Sequence, residues 1–331
     1  MIESIQFKNF RALRDTTLPL SPFTLIVGPN GSGKSTALKA IQAAANPNQF
    51  TFDKLATAGL EKDGHVEVLI KWGGAFPDHL TTLTWNQHGS YAPPTPHYPN
   101  IKFPEWKQAF LRGVRIFSLE PDAIAASVQL RPDVELAPNG AQLAGVLDRL
   151  RDSNPERFDA LNNEFGKWLP EFDRILFDTP QPGQRAIVLR TRDSGHKIPA
   201  ADLSHGTLIA LAILTLAYIP NPPSMVCLEE PDRGLHPRLL RDVRDAIYRL
   251  AYPESCGESR PAVQVIATTH SPYFLDLFRD HPEEIVIAEK VGMEGRFQRL
   301  SDRADLSEIL GDAHLGEVWY SGILGGVPTG K

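Results

Sequence analysis

Residues Gly28 to Ser35 read Gly-Pro-Asn-Gly-Ser-Gly-Lys-Ser, a full match to GxxxxGK[S/T]. The short apolar run Thr24–Val27 before it reads as a strand. The run Ala37–Ala45 after it reads as a helix that stops before Asn46-Pro47. The glycines permit backbone angles that turn amide groups inward, where they cradle phosphates. A helix start near Gly33 adds the positive end of its dipole, worth about 0.3–1 kcal/mol and at most about 2 when shielded. That is too little to hold a triphosphate, so the Lys34 ammonium is needed across the terminal phosphates. The Ser35 hydroxyl has the chemistry to ligate Mg²⁺. The expectation is ATP held by Asn30, Gly31, Ser32, Gly33, Lys34, Ser35 and Thr36. The bland alternative, a chance match in a glycine-rich turn, is disfavoured by the flanking strand and helix.

With 331 residues and 42% hydrophobic side chains, the chain can build one large domain or two ordinary ones. Two cysteines, Cys227 and Cys256, cannot make a disulfide framework or a zinc site, which points to a reducing cytoplasm. The opening MIESIQFKNF has no apolar signal core. The longest apolar run, Leu208–Ile219, is about half of what a bilayer crossing needs. A cytoplasmic protein without membrane insertion is expected. A formal net charge of −6 provides no global field for nucleic acid, although a local basic patch stays open.

Ser4–Phe7 reads as a first strand, joined to Thr24–Val27 by a connection holding Pro19 and Pro22. Residues 62–88 alternate apolar and polar, as antiparallel strands do. The proline-dense Ala92–Pro104 reads as a surface loop. Gln142–Leu150 and Pro155–Trp168 read as helices, and Ala186–Arg190 as a strand. Ser204–Ile219 is apolar nearly all round, hence a buried helix. Met225–Leu228 and Val263–Thr268 are apolar runs of the kind expected for central parallel strands. No heptad pattern persists, so no long coiled-coil arm is expected. The expected division is a core with a β subdomain over 1–90 and 186–300, a helical lobe over about 105–185, and a glycine-rich tail over 316–331.

Met225-Val226-Cys227-Leu228-Glu229-Glu230 is an apolar strand ending in two acids. A buried strand delivers Glu229 to its carboxyl edge, where it can hold Mg²⁺ or its water shell. Glu230 can then orient or deprotonate an attacking water, worth roughly 10²–10⁴ in rate. An acidic turn before Pro231 is the alternative, about even by itself and disfavoured once coupled to the phosphate loop. Ser204 is a good N-cap for the buried helix, and Gly206 leaves its first turn open to a ligand. Alone this is an ordinary cap; the sharper reading is a second anion site, serving a nucleotide on another copy of the chain. His270, just past a buried strand, stands in the right order to hydrogen-bond a γ-phosphate.

Taken in order, these motifs resemble the ABC-type ATPase heads of the RecF, SMC and OLD group, and more narrowly the small OLD-related ATPases. Ile5-Gln6-Phe7-Lys8-Asn9-Phe10-Arg11-Ala12 is similar to that group's FKNFR opening, and Glu229–Pro237 to its DEPExGLHP block. Leu203–Thr207 is similar to the signature, Ala267–Pro272 to the switch-histidine segment, and Leu136–Gly140 with Leu143–Leu147 to the mid-chain segment. The resemblance implies an α/β P-loop fold of ABC-head type: a mixed central sheet, an antiparallel β subdomain and a helical insert. It implies ATP and Mg²⁺ as cofactors, with Lys34, Ser35, Glu229, Glu230 and His270 acting in cis and Ser204 and Gly206 in trans across a homodimer. Arg11 corresponds to the arginine that approaches the phosphates. Glu229 stands where the group usually carries Asp. The metal-contacting glutamine has three candidate places: Glu120-Pro121-Asp122, Gln129 and Gln142. Glu289 in Val286-Ile287-Ala288-Glu289 reads as a surface strand end, and no nuclease domain is expected in this chain. Three settings follow: a DNA-associated or defence ATPase driving a separately encoded effector such as a nuclease, a repair clamp binding DNA itself, or, least well matched, a transporter subunit.

Overall fold

The computed structural model describes residues 1–61, 63–74, 79–91, 105–309, 311 and 314–325. The stretch Ala92–Pro104 and the last part of the expected tail, 326–331, lie outside the described residues. Along the chain come β1 (Ile2–Phe10), β2 (Leu13–Pro19), β3 (Phe23–Val27), α1 (Lys34–Ala45), α2 (Phe52–Leu55), β4 (Val66–Trp72), β5 (Leu80–Asn86), β6 (Gly89–Tyr91), α3 (Glu105–Arg112), β7 (Val114–Phe117), α4 (Pro121–Ala125), β8 (Val128–Gln129), α5 (Leu143–Ser153) and α6 (Pro155–Trp168). They are followed by β9 (Phe172–Asp178), β10 (Gln184–Thr191), β11 (Lys197–Pro199), α7 (His205–Tyr218), β12 (Met225–Glu229), α8 (Leu239–Ala251), β13 (Gln264–Thr269), α9 (Pro272–Asp276), β14 (Ile285–Val291), β15 (Glu294–Arg299), α10 (Leu306–Ile309) and α11 (Leu315–Tyr320). Two compact units result. One combines Met1–Ile116, Pro223–Cys227 and Ala262–Lys331; the other combines Phe117–Pro222 and Leu228–Pro261.

The first unit holds a mixed six-stranded sheet in the order β15-β14-β3-β13-β12-β7 and a five-stranded antiparallel sheet in the order β2-β1-β4-β5-β6. All five residues of β3 are buried, as a strand flanked by parallel neighbours and covered on both faces requires. In β4 burial alternates: Val66, Val68, Ile70 and Trp72 face inward, and the residues between them are half-exposed. Ala37, Leu38 and Ile41 of α1 share one apolar core with Phe7, Val68 and Trp85 of the antiparallel sheet and with Ile26, Ile266 and Val286 of the mixed sheet. Removing one such aromatic costs about 3–5 kcal/mol, a large part of a domain's usual 5–15 kcal/mol. The helix behind the phosphate loop is therefore held by both sheets. Gln264, fully buried, adds a polar clasp: Ile2 N donates to its Oε1 at 2.8 Å, and its Nε2 donates to Ile2 O at 2.7 Å.

Two strands depart from the sequence expectation. The connection holding Pro19 contains β2, which pairs with β1 through Ile5–Leu18 and Phe7–Thr16. Only Leu13, Thr16 and Leu18 of this strand are buried, so its alternation is broken and hard to see. Before Glu289, where the strand emerges half-buried toward the surface, Ile285–Ala288 are buried and β14 runs parallel to β3 as part of the central sheet.

In the second unit β11, β10 and β8 form a short sheet, with β9 pairing β10. The helix α7 is buried on every side from Gly206 to Tyr218 and packs against α4, α6 and α8. Amphipathic α8 turns Leu239, Leu240, Val243, Ile247 and Leu250 inward. Among the described residues no helix is long and apolar enough to cross a membrane.

Candidate nucleotide-binding site

In the first unit, β3 ends at Val27 and hands the chain to Gly28. Thr269 of β13 and Ile287 of β14 both lie opposite Val27 in parallel register. The residues that follow them, His270 and Ala288, therefore flank the start of the loop. A β-carbon on Gly28 would lie 2.2 Å from Ala288 O and 2.9 Å from Ser32 Oγ, so only glycine fits. Gly33, at φ 99°, opens α1 from the left-handed region, and a β-carbon there would lie 2.8 Å from Leu13 Cδ2. Ser32 O faces Gly295 of β15, where a β-carbon would come within 2.5 Å of it.

Lys34 is buried, and its Nζ donates to Gly28 O at 2.8 Å and to Pro29 O at 3.0 Å. Its ammonium thus arches back over the loop. Ser32 Oγ is buried with no hydrogen-bond partner among the described residues. A buried hydroxyl without a partner among the described residues, an ammonium held over the loop by two carbonyls and side-chain-free glycines fit a bound phosphate, since leaving the hydroxyl buried and uncompensated is costly. Asn30, Gly31 and Ser35 are exposed and Thr36 is half-buried. Among the described residues no cluster of three His, Cys, Asp or Glu side chains is arranged to hold a metal.

His270 is half-buried at the end of β13, and Ser271 caps α9 by accepting from Phe274 N at 3.3 Å. Arg11 sits in the β1–β2 turn at φ 50°. Its backbone N–H donates to Leu55 O at 2.8 Å, and its Nε donates to Lys54 O at 2.9 Å. The structure therefore anchors Arg11 beside α2 by both backbone and side chain.

The other candidate residues belong to the second unit. Glu229 is the half-buried last residue of β12. Glu230 follows at φ 45°, a conformation that costs an L-residue of this size on the order of 1 kcal/mol. Its carbonyl accepts from Arg233 N at 3.0 Å, closing the turn. Ser204 caps α7, its Oγ accepting from Thr207 N at 3.1 Å. Gly206 also has a neighbour within its own chain. A β-carbon there would lie 2.8 Å from Gly234 O, so close packing against the segment after the acids explains the glycine. Among the glutamine candidates, Gln129 sits with its amide against Gly183. Gln142 has φ 74° and a buried Oε1 without a hydrogen bond among the described residues.

A family model described as "AAA domain, putative AbiEii toxin, Type IV TA system" matches residues 54–276, well over half of the chain. The chain belongs to this AAA-domain family. A second model, an AAA ATPase domain, matches residues 1–83, which include the phosphate loop. The AAA-domain chain is 25% identical over 328 residues to an OLD nuclease of Thermus scotoductus, covering 84% of itself and 60% of that protein. It thus spans less than two thirds of that relative's length. It is 37% identical over 75 residues to a DNA double-strand break repair Rad50 ATPase of Methanopyrus kandleri, 22% of this chain and 8% of that one. Its fold is that of an SMC head: a crystal structure of the SmcHead bound to the C-winged helix domain of ScpA superposes with a TM-score of 0.63 at 17% identity, covering 90% of this chain and 96% of the other. The SMC-head fold and the OLD nuclease likeness agree with the resemblance to the ABC-type heads of the RecF, SMC and OLD group, and the mixed sheet and antiparallel subdomain that the motifs implied are present.

Leu13 and Gly295, which with Ala288 wall the phosphate loop, were not among the residues the sequence singled out. They lie in distant strands with no motif of their own; the close spacing of Gly292 and Gly295 was the only local sign.

Proposed function

We propose that this AAA-domain chain binds ATP with Mg²⁺ on Asn30–Thr36 and hydrolyses it to ADP and phosphate as a head-to-tail homodimer. The observation that carries the reading is the loop itself, with the Lys34 ammonium held over it at Gly28 O and Ser32 Oγ buried without a partner among the described residues. ATP would supply the phosphoanhydride to be cleaved, and Mg²⁺ would offset phosphate charge. In this reading Ser35 and Glu229 serve the metal, with Gln142 as the further oxygen donor. The Glu230 carboxylate takes a proton from the attacking water, and His270 donates a hydrogen bond to the terminal phosphate. A strained backbone at Glu230 supports this, because folding alone would favour glycine there. Ser204 and the Gly206 turn close the site from a second copy, and Arg11 approaches the phosphates from the β1–β2 turn. The whole chain is read as one ABC-type domain, with core and β subdomain over 1–90 and 186–300, the helical lobe over about 105–185, and a glycine-rich tail over 316–331.

The setting proposed is cytoplasmic, without membrane insertion: a DNA-associated or phage-defence ATPase that drives a separately encoded effector such as a nuclease. The likeness to an OLD nuclease and the toxin named in the family description support it. The Rad50 match favours one second reading, a repair clamp that binds DNA itself. Phosphate release by the purified chain with Mg-ATP, with and without DNA, tests both. No release under either condition would overturn the ATPase. Strong stimulation by DNA alone would favour the clamp.

A further inference from the structure

Beside the phosphate loop stands a lysine that none of the motifs includes. Along β14, Val286 and Ala288 face the core that holds α1, and Lys290 is next in that row. Cross-strand pairing agrees: Ala288 lies opposite Phe297, which packs on the same core, and Lys290 lies opposite Gly295. Gly295 is the residue whose missing side chain admits Ser32 O. Paired residues of an antiparallel hairpin share a face, so Lys290 leans over the loop. Its Nζ lies 3.9 Å from where a β-carbon of Gly31 would be. The side chain is exposed, and no ion pair among the described residues claims its charge.

We propose that Lys290 is a second cationic contact for the polyphosphate tail of the nucleotide, set on the outer side of the loop at Gly31 while Lys34 acts from within. This rests on the reading of Asn30–Thr36 as an ATP site. Two buried apolar residues set the strand's register, and that register carries the ammonium to the edge where the phosphates are held. The cation is solvated, so its effect is moderate and screened by salt.

The test is calorimetric titration of the full chain with Mg-ATP at low and high salt. Lys290→Met, which keeps the aliphatic stem, should weaken binding about two- to fivefold at low salt, with the difference vanishing near 1 M salt. Lys290→Arg should bind like the parent, and thermal melting should be the same for all three proteins. Parental affinity for Lys290→Met at low salt would overturn the proposal, as would a loss that Lys290→Arg fails to restore. Absence of ATP binding by the parent would instead overturn the ATP site itself, and the role of Lys290 with it.

Discussion

Thr269 lies directly opposite Val27 in the parallel β13–β3 ladder, so His270 and Gly28 leave the sheet side by side. Residues far apart in sequence are thereby delivered to one edge, with Ala288 on the other flank through Ile287. A crevice outside the carboxyl ends of parallel strands is where open α/β sheets bind ligands.

Lys34→Ala is expected to abolish tight ATP binding. In the proposed site, the ammonium that bridges Gly28 O and Pro29 O is the group that meets phosphate charge inside the loop. Calorimetric titration decides it, and unchanged affinity would sink the phosphate-loop assignment.

At Glu230 two substitutions should separate chemistry from stability. Glu230→Gln keeps its volume, should still bind ATP, and should stop turnover, leaving an ATP-bound dimer visible by light scattering. Glu230→Gly should also stop turnover, yet raise stability by about 0.5–1 kcal/mol, because glycine adopts φ 45° without strain. A melting temperature lowered by Glu230→Gly, or a parental rate for Glu230→Gln, would contradict the assignment.

Gly206→Ala should destabilise the second unit by about 1–3 kcal/mol, since its methyl group would meet the Gly234 carbonyl at 2.8 Å. Ser204→Ala removes the cap on α7 and should cost about 0.5–2 kcal/mol. Denaturant titration measures both, and a neutral Gly206→Ala would show that the turn yields easily.

The dimer is tested by mixing. Ser204→Arg and Lys34→Ala proteins should each be inactive, and their mixture should regain partial activity through one intact composite site. Subunit exchange is followed independently by fluorescence transfer. Full activity of Ser204→Arg alone, at a specific rate independent of protein concentration, would mean that a monomer suffices.

Acid should weaken the second unit through Glu258. Burial pushes this carboxyl up, but the Arg260 hydrogen bond and the charges of Arg249, Arg260 and Arg157 outweigh it, holding the pKa below the ordinary 4.5. A depressed pKa gives stability that is present above the unfolded value and lost as pH falls through the folded one. Melting temperature should therefore fall on acidification below about pH 4.5, and Glu258→Gln should show a shallower fall. Identical pH profiles for the two proteins would refute this.

The most legible parts of the sequence were those with a local cause. Gly28–Ser35 specifies its own turn, Ser204 its helix cap, and the mostly apolar, β-branched runs of β3, β12 and β13 their interior places. What stayed hidden depends on partners far along the chain. Leu13 looks like any leucine until Gly33 packs beneath it. The packing of residue 206 against the carbonyl of residue 234, a second reason for glycine there, is equally invisible in the sequence. Likewise, β14 ends in a charged stretch that obscures its interior start.

The clasp between Gln264 and Ile2 joins residues 262 positions apart. On a ribosome adding about 5–20 residues per second, the amino-terminal strand must wait on the order of ten to fifty seconds for that partner. During that interval the glycine turn has neither of its flanking strands, so a nascent chain cannot assemble the walls around it. Competence to take up a nucleotide then waits until β13 and β14 have been made, about 250 residues after the glycine turn itself.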